Sequence, residues 1–193
     1  MERIVLASAS PRRRQLLEWA EIDFEVIVKE TDESFPAGMP VGDVPVHIAR
    51  NKALAVKQEL GVERTILAAD TVVVLDHEII GKPKDREDAI GILSRLSGHR
   101  HEVVTGVAIL NGEREIVFAD TTEVWFHALT EQQIVRYVDS YRPYDKAGAY
   151  AIQEWIGVVG IQSIKGDFYN VMGLPVSRVV RALEKMLGGK TGD

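Results

Sequence analysis

Between Ile66 and Leu75 every residue is apolar except Asp70 and Thr71. A run this short, rich in Val, Ile and Leu, reads as a strand extending over Thr65–Leu75. It lacks the polar alternation of a half-exposed strand, so it is expected to be buried on both faces. A strand covered on both sides needs a layer above and a layer below. The chain is therefore expected to be α/β, a mixed twisted sheet flanked by helices.

The rest of the sequence supplies those layers. Ile4–Ala7 reads as a first strand and Pro11–Ala20 as a helix capped by Ser10. Phe24–Val28 reads as a second strand, and Asp43 caps a helix running to Leu60 and closed by Gly61. Asp85–Leu96 is a further helix, with Gly98 just beyond it. Val103–Leu110 and Glu115–Phe126 flank Asn111-Gly112, a strong hairpin signal. Thr130 and Gln133 predict a capping box for a helix ending near Tyr141. Trp155–Ile164 is strand-like, and Pro175–Leu187 is an amphipathic helix. Residues 1–188 are expected to form one domain, and 189–193 a frayed tail.

Composition narrows the function. A net charge of -6 argues against broad binding to a nucleic-acid polymer, which needs an excess of Lys and Arg. With no cysteine, disulfides, thiol chemistry and thiolate metal sites are excluded. The opening apolar run Ile4-Val5-Leu6 is too short for a signal peptide, and no stretch reaches the roughly 18 apolar residues of a membrane span. A cytoplasmic protein is expected.

Two placements stand out chemically. Arg12, Arg13 and Arg14 fall in the first turn of a predicted helix, where the dipole disfavours cations by roughly 0.3–1 kcal/mol each. Cations added to free N–H groups at a strand-to-helix turn suit a polyphosphate, although arginines also splay into solvent. Asp70 is the second. A carboxylate in a buried strand must be paired, hydrogen-bonded, metal-bound or at the mouth of a cleft, and here its neighbours in sequence leave it isolated among apolar groups. It suits a general base or a Mg²⁺ ligand, or else a buried structural Asp. Lys82 in the Gly81-Lys82-Pro83 turn, Lys52 mid-helix, Lys146 and Glu33 are ordinary surface charges when taken singly.

Other chemistries fail on spacing. Gly189-Lys190-Thr191 ends like a P-loop, but position 184 is Glu and no helix follows. No Gly-x-Ser-x-Gly elbow occurs. The histidines do not fall at zinc-ligand spacing, and His99 and His101 read as structural.

The segments Leu6-Ala7-Ser8-Ala9-Ser10-Pro11-Arg12-Arg13, Asn51-Lys52-Ala53, Ala68-Ala69-Asp70-Thr71-Val72-Val73 and Gly81-Lys82-Pro83 occur in that order. Leu96-Ser97-Gly98, Val104-Thr105-Gly106-Val107, Asp145 to Gln153 and Val171-Met172-Gly173-Leu174-Pro175 follow. Together they resemble the Maf family, in its branch that hydrolyses dTTP and UTP. The resemblance implies an ITPase-like α/β fold with two lobes around a nucleotide-binding cleft, a homodimer, and metal-dependent (Mg²⁺ or Mn²⁺) release of pyrophosphate. It implies that Asp70 accepts a proton from water and that Arg12, Thr71 and Gln153 choose the base. Ser8, Arg13, Lys52 and Lys82 match phosphate positions, with Asp70 and Glu33 as metal ligands. Arg14 is an addition to the pattern. A glutamine amide donates and accepts at once, so Gln153 can pair with the imide edge of thymine or uracil. Thr71, next to Asp70, points to the other face of a regular strand. The rival expectations are a member preferring a modified guanine nucleotide, and a nucleotide-binding regulator of septum formation without turnover.

Overall fold

The computed structural model describes residues 2–60 and 64–188. In chain order its first elements are β1 (Ile4–Leu6), α1 (Pro11–Trp19), β2 (Phe24–Val26), α2 (Val44–Leu60) and β3 (Ile66–Leu75). Then come β4 (Glu78–Ile80), α3 (Arg86–Leu96), β5 (Arg100–Asn111), β6 (Arg114–Phe126) and α4 (Glu131–Tyr141). A tight turn at Ala147–Ala149 leads to α5 (Trp155–Gly160), β7 (Ile161–Lys165), α6 (Phe168–Met172) and α7 (Val176–Gly188).

The strands form one mixed sheet in the order β2-β1-β3-β5-β6-β7, with β4 also paired to β3. β1 runs parallel to both β2 and β3, placing Val5 opposite Ile66 and Leu6 opposite Leu67. β4 folds back antiparallel on β3, and β7 is antiparallel to β6 with a bulge at Trp125/Phe126. The expected position of β3 in the sheet interior is borne out, since only Asp70 and Thr71 along it are not fully buried.

The chain divides into two compact units. The first comprises Met1–Asp70, Thr105–Asp120 and Gly173–Asp193, and the second Thr71–Val104 and Thr121–Met172. In the first unit small side chains dominate one cluster: Ala49 and Ala53 of α2 meet Ala68 of β3 and Ala108 of β5. Small residues allow α2 to lie close to the sheet. Gly106 marks the limit of that approach, because a Cβ there would fall 2.2 Å from the Pro45 carbonyl carbon. The core of the second unit is larger and more aromatic, with Phe126, Tyr137 and Tyr150 among Val, Leu and Ile side chains. His101 lies inside it, edge-on to Phe126 and to Tyr150, whose hydroxyl is 2.8 Å from His101 Nε2.

Three local expectations are corrected. Trp155–Gly160 is a helix and not the start of a strand. Ile156 and Gly160 are buried one turn apart while Val158 and Val159 are exposed, which is helical spacing despite the β-branched residues. Asn111 is not in the hairpin turn: the loop residues are Gly112 and Glu113, with Gly112 at φ 54°. Asn111 stays in β5 because its buried amide donates to Thr65 Oγ1 at 2.6 Å. Ser10 occupies the N-cap of α1, but its side chain makes no capping bond. The α3 cap by Asp85 and the Thr130/Gln133 capping box form as expected. Gly61 and the tail 189–193 lie outside the described residues.

Candidate active site

The first unit gathers most of the charged residues that the sequence singled out. α1 presents Arg13, Leu16 and Leu17 as its buried face, so helical spacing turns one arginine of the three inward. Arg13 Nη1 donates to Ser8 Oγ at 3.1 Å and Nε donates to the Gly173 carbonyl at 2.8 Å. Ser8 Oγ also accepts the Ser10 N–H at 3.3 Å, which fixes the turn between β1 and α1. Gly173 has φ 120°, a conformation that disfavours any side chain, and this exposes its carbonyl to the guanidinium. Arg12 is half-buried and Arg14 is exposed.

Burial pushes the Arg13 pKa down to about 10. The Asp70 carboxylate opposes that fall, Arg12 adds to it and Glu33 opposes it. Arg13 remains a cation at neutral pH, held in place before any anion arrives.

Asp70 is not isolated, and this corrects the reading from its neighbours in sequence. Lys52 of α2 places its Nζ 2.8 Å from Asp70 Oδ1 and 2.7 Å from Glu33 Oε1. The burial periodicity of α2 explains the reach: Ala49, Ala53 and Val56 face the core, and Lys52 lies at the edge of that face. Glu33 sits in the loop before α2, where Asp32 accepts bonds from both the N–H and the hydroxyl of Ser34. That local turn orients Glu33, whose side chain is 51% exposed against 16% for Asp70. One ammonium thus bridges a sheltered carboxylate and an accessible one.

The second unit carries the other three. Thr71 begins it, half-buried on β3. Lys82 is exposed in the turn after β4, whose Gly81 carbonyl accepts the Gly148 N–H at 3.1 Å. Gly148, at φ 69°, packs so tightly that a Cβ would fall 2.8 Å from Val73 Cγ2. The segment Asp145–Gln153 is thereby tied to β3 and to the Lys82 turn. Gln153 is exposed in the turn whose Glu154 N–H bonds the Ala151 carbonyl at 3.1 Å.

The sequence reading did not find the Gly173 carbonyl as the anchor of Arg13, nor the contacts of Lys146. Lys146 is 8% exposed, with Nζ 2.8 Å from Asp145 Oδ1 and 3.6 Å from Glu154 Oε1. Only the period-three spacing of Arg13, Leu16 and Leu17 could have told Arg13 apart from its neighbours in advance.

A cluster of this kind holds anions and orients a water. Two cations, Arg13 and Lys52, are presented with two carboxylates that can accept a proton or bind a hard metal ion. Among the described residues, no group of three or more His, Asp or Glu side chains forms a self-sufficient metal cage.

The chain is similar to several known proteins. A dTTP/UTP pyrophosphatase of Cytophaga hutchinsonii is 49% identical over 183 residues, covering 95% of this chain and 84% of that protein. A dTTP/UTP pyrophosphatase of Bacillus cytotoxicus is 45% identical over 189 residues, covering 98% of each. In fold, the chain is similar to the Staphylococcus aureus Ham1 protein, with a TM-score of 0.53 at 15% identity over 98% of this chain and 100% of that one. The family profile described as Maf-like protein matches residues 3–186, and the chain belongs to the Maf family.

Proposed function

We propose that this protein is a nucleotide pyrophosphatase that hydrolyses dTTP and UTP to the monophosphate and pyrophosphate. The observation that carries the reading is the pairing of Lys52 with both Asp70 and Glu33 beside the buried cation Arg13. Relatives at 43–49% identity that bear the name dTTP/UTP pyrophosphatase support the choice of substrate.

The chemistry follows from what each group can do. Arg13, prealigned by Ser8 and Gly173, binds phosphate oxygens at little cost in reorganisation. Lys52, shared between Asp70 and Glu33, turns to the incoming phosphates. Asp70 then loses its ammonium partner and becomes a free carboxylate, able to orient a water and accept its proton. The water attacks the α-phosphorus, and pyrophosphate leaves in line with its charge neutralised by Arg13 and Lys52.

The donor set also fits a divalent cation. Mg²⁺ characteristically takes one or two carboxylates and completes its shell with water and substrate phosphate oxygens. Asp70 and Glu33 already converge on one cation, the Lys52 ammonium, so type and number of ligands match. Mg²⁺ or Mn²⁺ held by these two would supply Lewis-acid polarisation of the phosphate. Asp70 and Glu33 offset the positive charge of Lys52, so a metal ion would add the further positive charge that a triphosphate calls for.

Gln153 of the second unit reads the imide edge of the base; the resemblance assigns Arg12 and Thr71 to the choice of base as well. We read the working protein as a cytoplasmic homodimer acting on free nucleotides and not on nucleic-acid polymers. Among the described residues no helix is long and apolar enough to cross a membrane.

The test is a panel of standard and modified nucleoside triphosphates, with pyrophosphate quantified for each. dTTP and UTP should give the highest kcat/KM, and pyrophosphate far in excess of one per chain. A strong purine preference would defeat the substrate assignment, and release of no more than one equivalent would defeat catalysis altogether.

A further inference from the structure

Gln153 is exposed, yet the residues on both sides of it are firmly held. Ile152 is 5% exposed, and a Cβ on Gly157 would fall 1.8 Å from the Ile152 carbonyl oxygen, so the helix α5 rests directly on that peptide. On the other side, Glu154 stands at the N-cap of α5 and makes no side-chain capping bond there. Acidic groups at a helix start are ordinarily drawn to its free N–H groups. This carboxylate is instead directed away: it accepts a hydrogen bond from the Tyr137 hydroxyl and lies 3.6 Å from Lys146 Nζ. Tyr137 is fully buried and stacks on Tyr141, and Lys146 is almost as deeply placed. Glu154 is therefore clamped by two groups of the core, one neutral and one charged.

An exposed glutamine between two such anchors has a fixed backbone. That matters for a side chain that must meet both a donor and an acceptor on one ligand, because recognition of this kind needs placement within about 0.5 Å. We propose that Glu154, held by Tyr137 and Lys146, is a positioning residue that aims the Gln153 amide and so sets discrimination among pyrimidine bases. The proposal rests on Gln153 reading the base. Glu154 itself does not touch the nucleotide.

The experiment uses Tyr137→Phe, which keeps the buried ring, and Glu154→Gln, which keeps the shape but loses the charge facing Lys146. Each is made alone and in a Gln153→Ala background, with kcat and KM measured for dTTP and dCTP and Tm recorded. Either single change should lower the dTTP preference by about tenfold, the scale of misplacing a contact by a fraction of an ångström. The loss should lie in KM for dTTP, with kcat little altered. In the Gln153→Ala background neither change should reduce the preference further, because the residue being aimed is gone. Equal losses in both backgrounds, or an unchanged preference in both single variants, overturn the proposal. A fall in kcat for both nucleotides with the preference intact also overturns it, since that marks a purely structural brace. Should Glu154→Gln prove poorly folded, Tyr137→Phe alone decides. If Gln153→Ala itself leaves the preference unchanged, the base-reading role fails first and the positioning role falls with it.

Discussion

The two compact units hold their candidate site residues in different ways. In the first, charges touch charges: Lys52 bridges Asp70 and Glu33, and Arg13 is buried against Ser8 and a backbone carbonyl. In the second, the exposed candidates Lys82 and Gln153 are placed by their backbones, through Gly81, Gly148 and the turn at Ala151–Glu154. The difference suits two tasks. Reacting charges must be balanced against one another before the substrate arrives, whereas a base reader must be rigid and unsatisfied until its partner fills it. If this division is right, substitution of Asp70 in the first unit should damage rate and substitution of Gln153 in the second should damage choice.

The largest effect is expected at Asp70. Asp70→Asn keeps the shape but removes the charge and the proton acceptor, so kcat should drop by at least ~100-fold. Nucleotide affinity should change far less, because Arg13 and Lys52 remain, and the dTTP to dCTP ratio should hold. The fold should persist, since Lys52 keeps Glu33 as a partner at 2.7 Å. A folded Asp70→Asn protein with near-normal turnover would remove Asp70 from the chemistry. Loss of the fold would assign it a structural role instead.

Gln153→Ala should do the reverse. Its kcat for dTTP should stay close to the wild-type value, while preference over dCTP falls by roughly 10-fold or more, as expected when a hydrogen-bonding pair to the substrate is removed. Steady-state kinetics with the two nucleotides decide this. A uniform loss for both would erase the proposed division between the units.

At neutral pH the least visible effect concerns stability and belongs to the aromatic core of the second unit. Burial lowers the His101 pKa from 6.5 to about 4, so the fold excludes a proton that the unfolded chain binds between those values. The stabilisation is complete above about pH 6.5 and declines as pH falls toward 4, by up to about 1.4 kcal/mol per pH unit. Urea denaturation at several pH values should show this slope in the wild type and lose it in His101→Gln. An identical slope in both proteins would place the titration elsewhere.

Much of this architecture could be read from residue pattern. The unbroken apolar run of β3 announced a covered sheet, and the paired cap residues of α3 and α4 marked their helix starts. The failures share one cause. Trp155–Gly160 has strand-like composition, but packing on the Ile152 carbonyl through Gly157 turns it helical. Asn111 resembles a turn residue until a buried partner, Thr65, claims its amide. The candidate site follows the same rule. Asp70 and Gln153 were visible as residues, but the Lys52 bridge joins three segments that lie far apart in sequence, and no local pattern encodes it. For Arg13 a local signal does exist in its spacing to Leu16 and Leu17, although the sequence reading did not use it.

The central claim, that water attacks the α-phosphorus, is tested most directly by following the oxygen. Hydrolysis of dTTP in ¹⁸O-labelled water, with the products resolved by phosphorus NMR or mass spectrometry, shows which phosphorus received the solvent atom. The account predicts one labelled oxygen in dTMP and unlabelled pyrophosphate. Label in the pyrophosphate, or the appearance of dTDP and orthophosphate as first products, would contradict it.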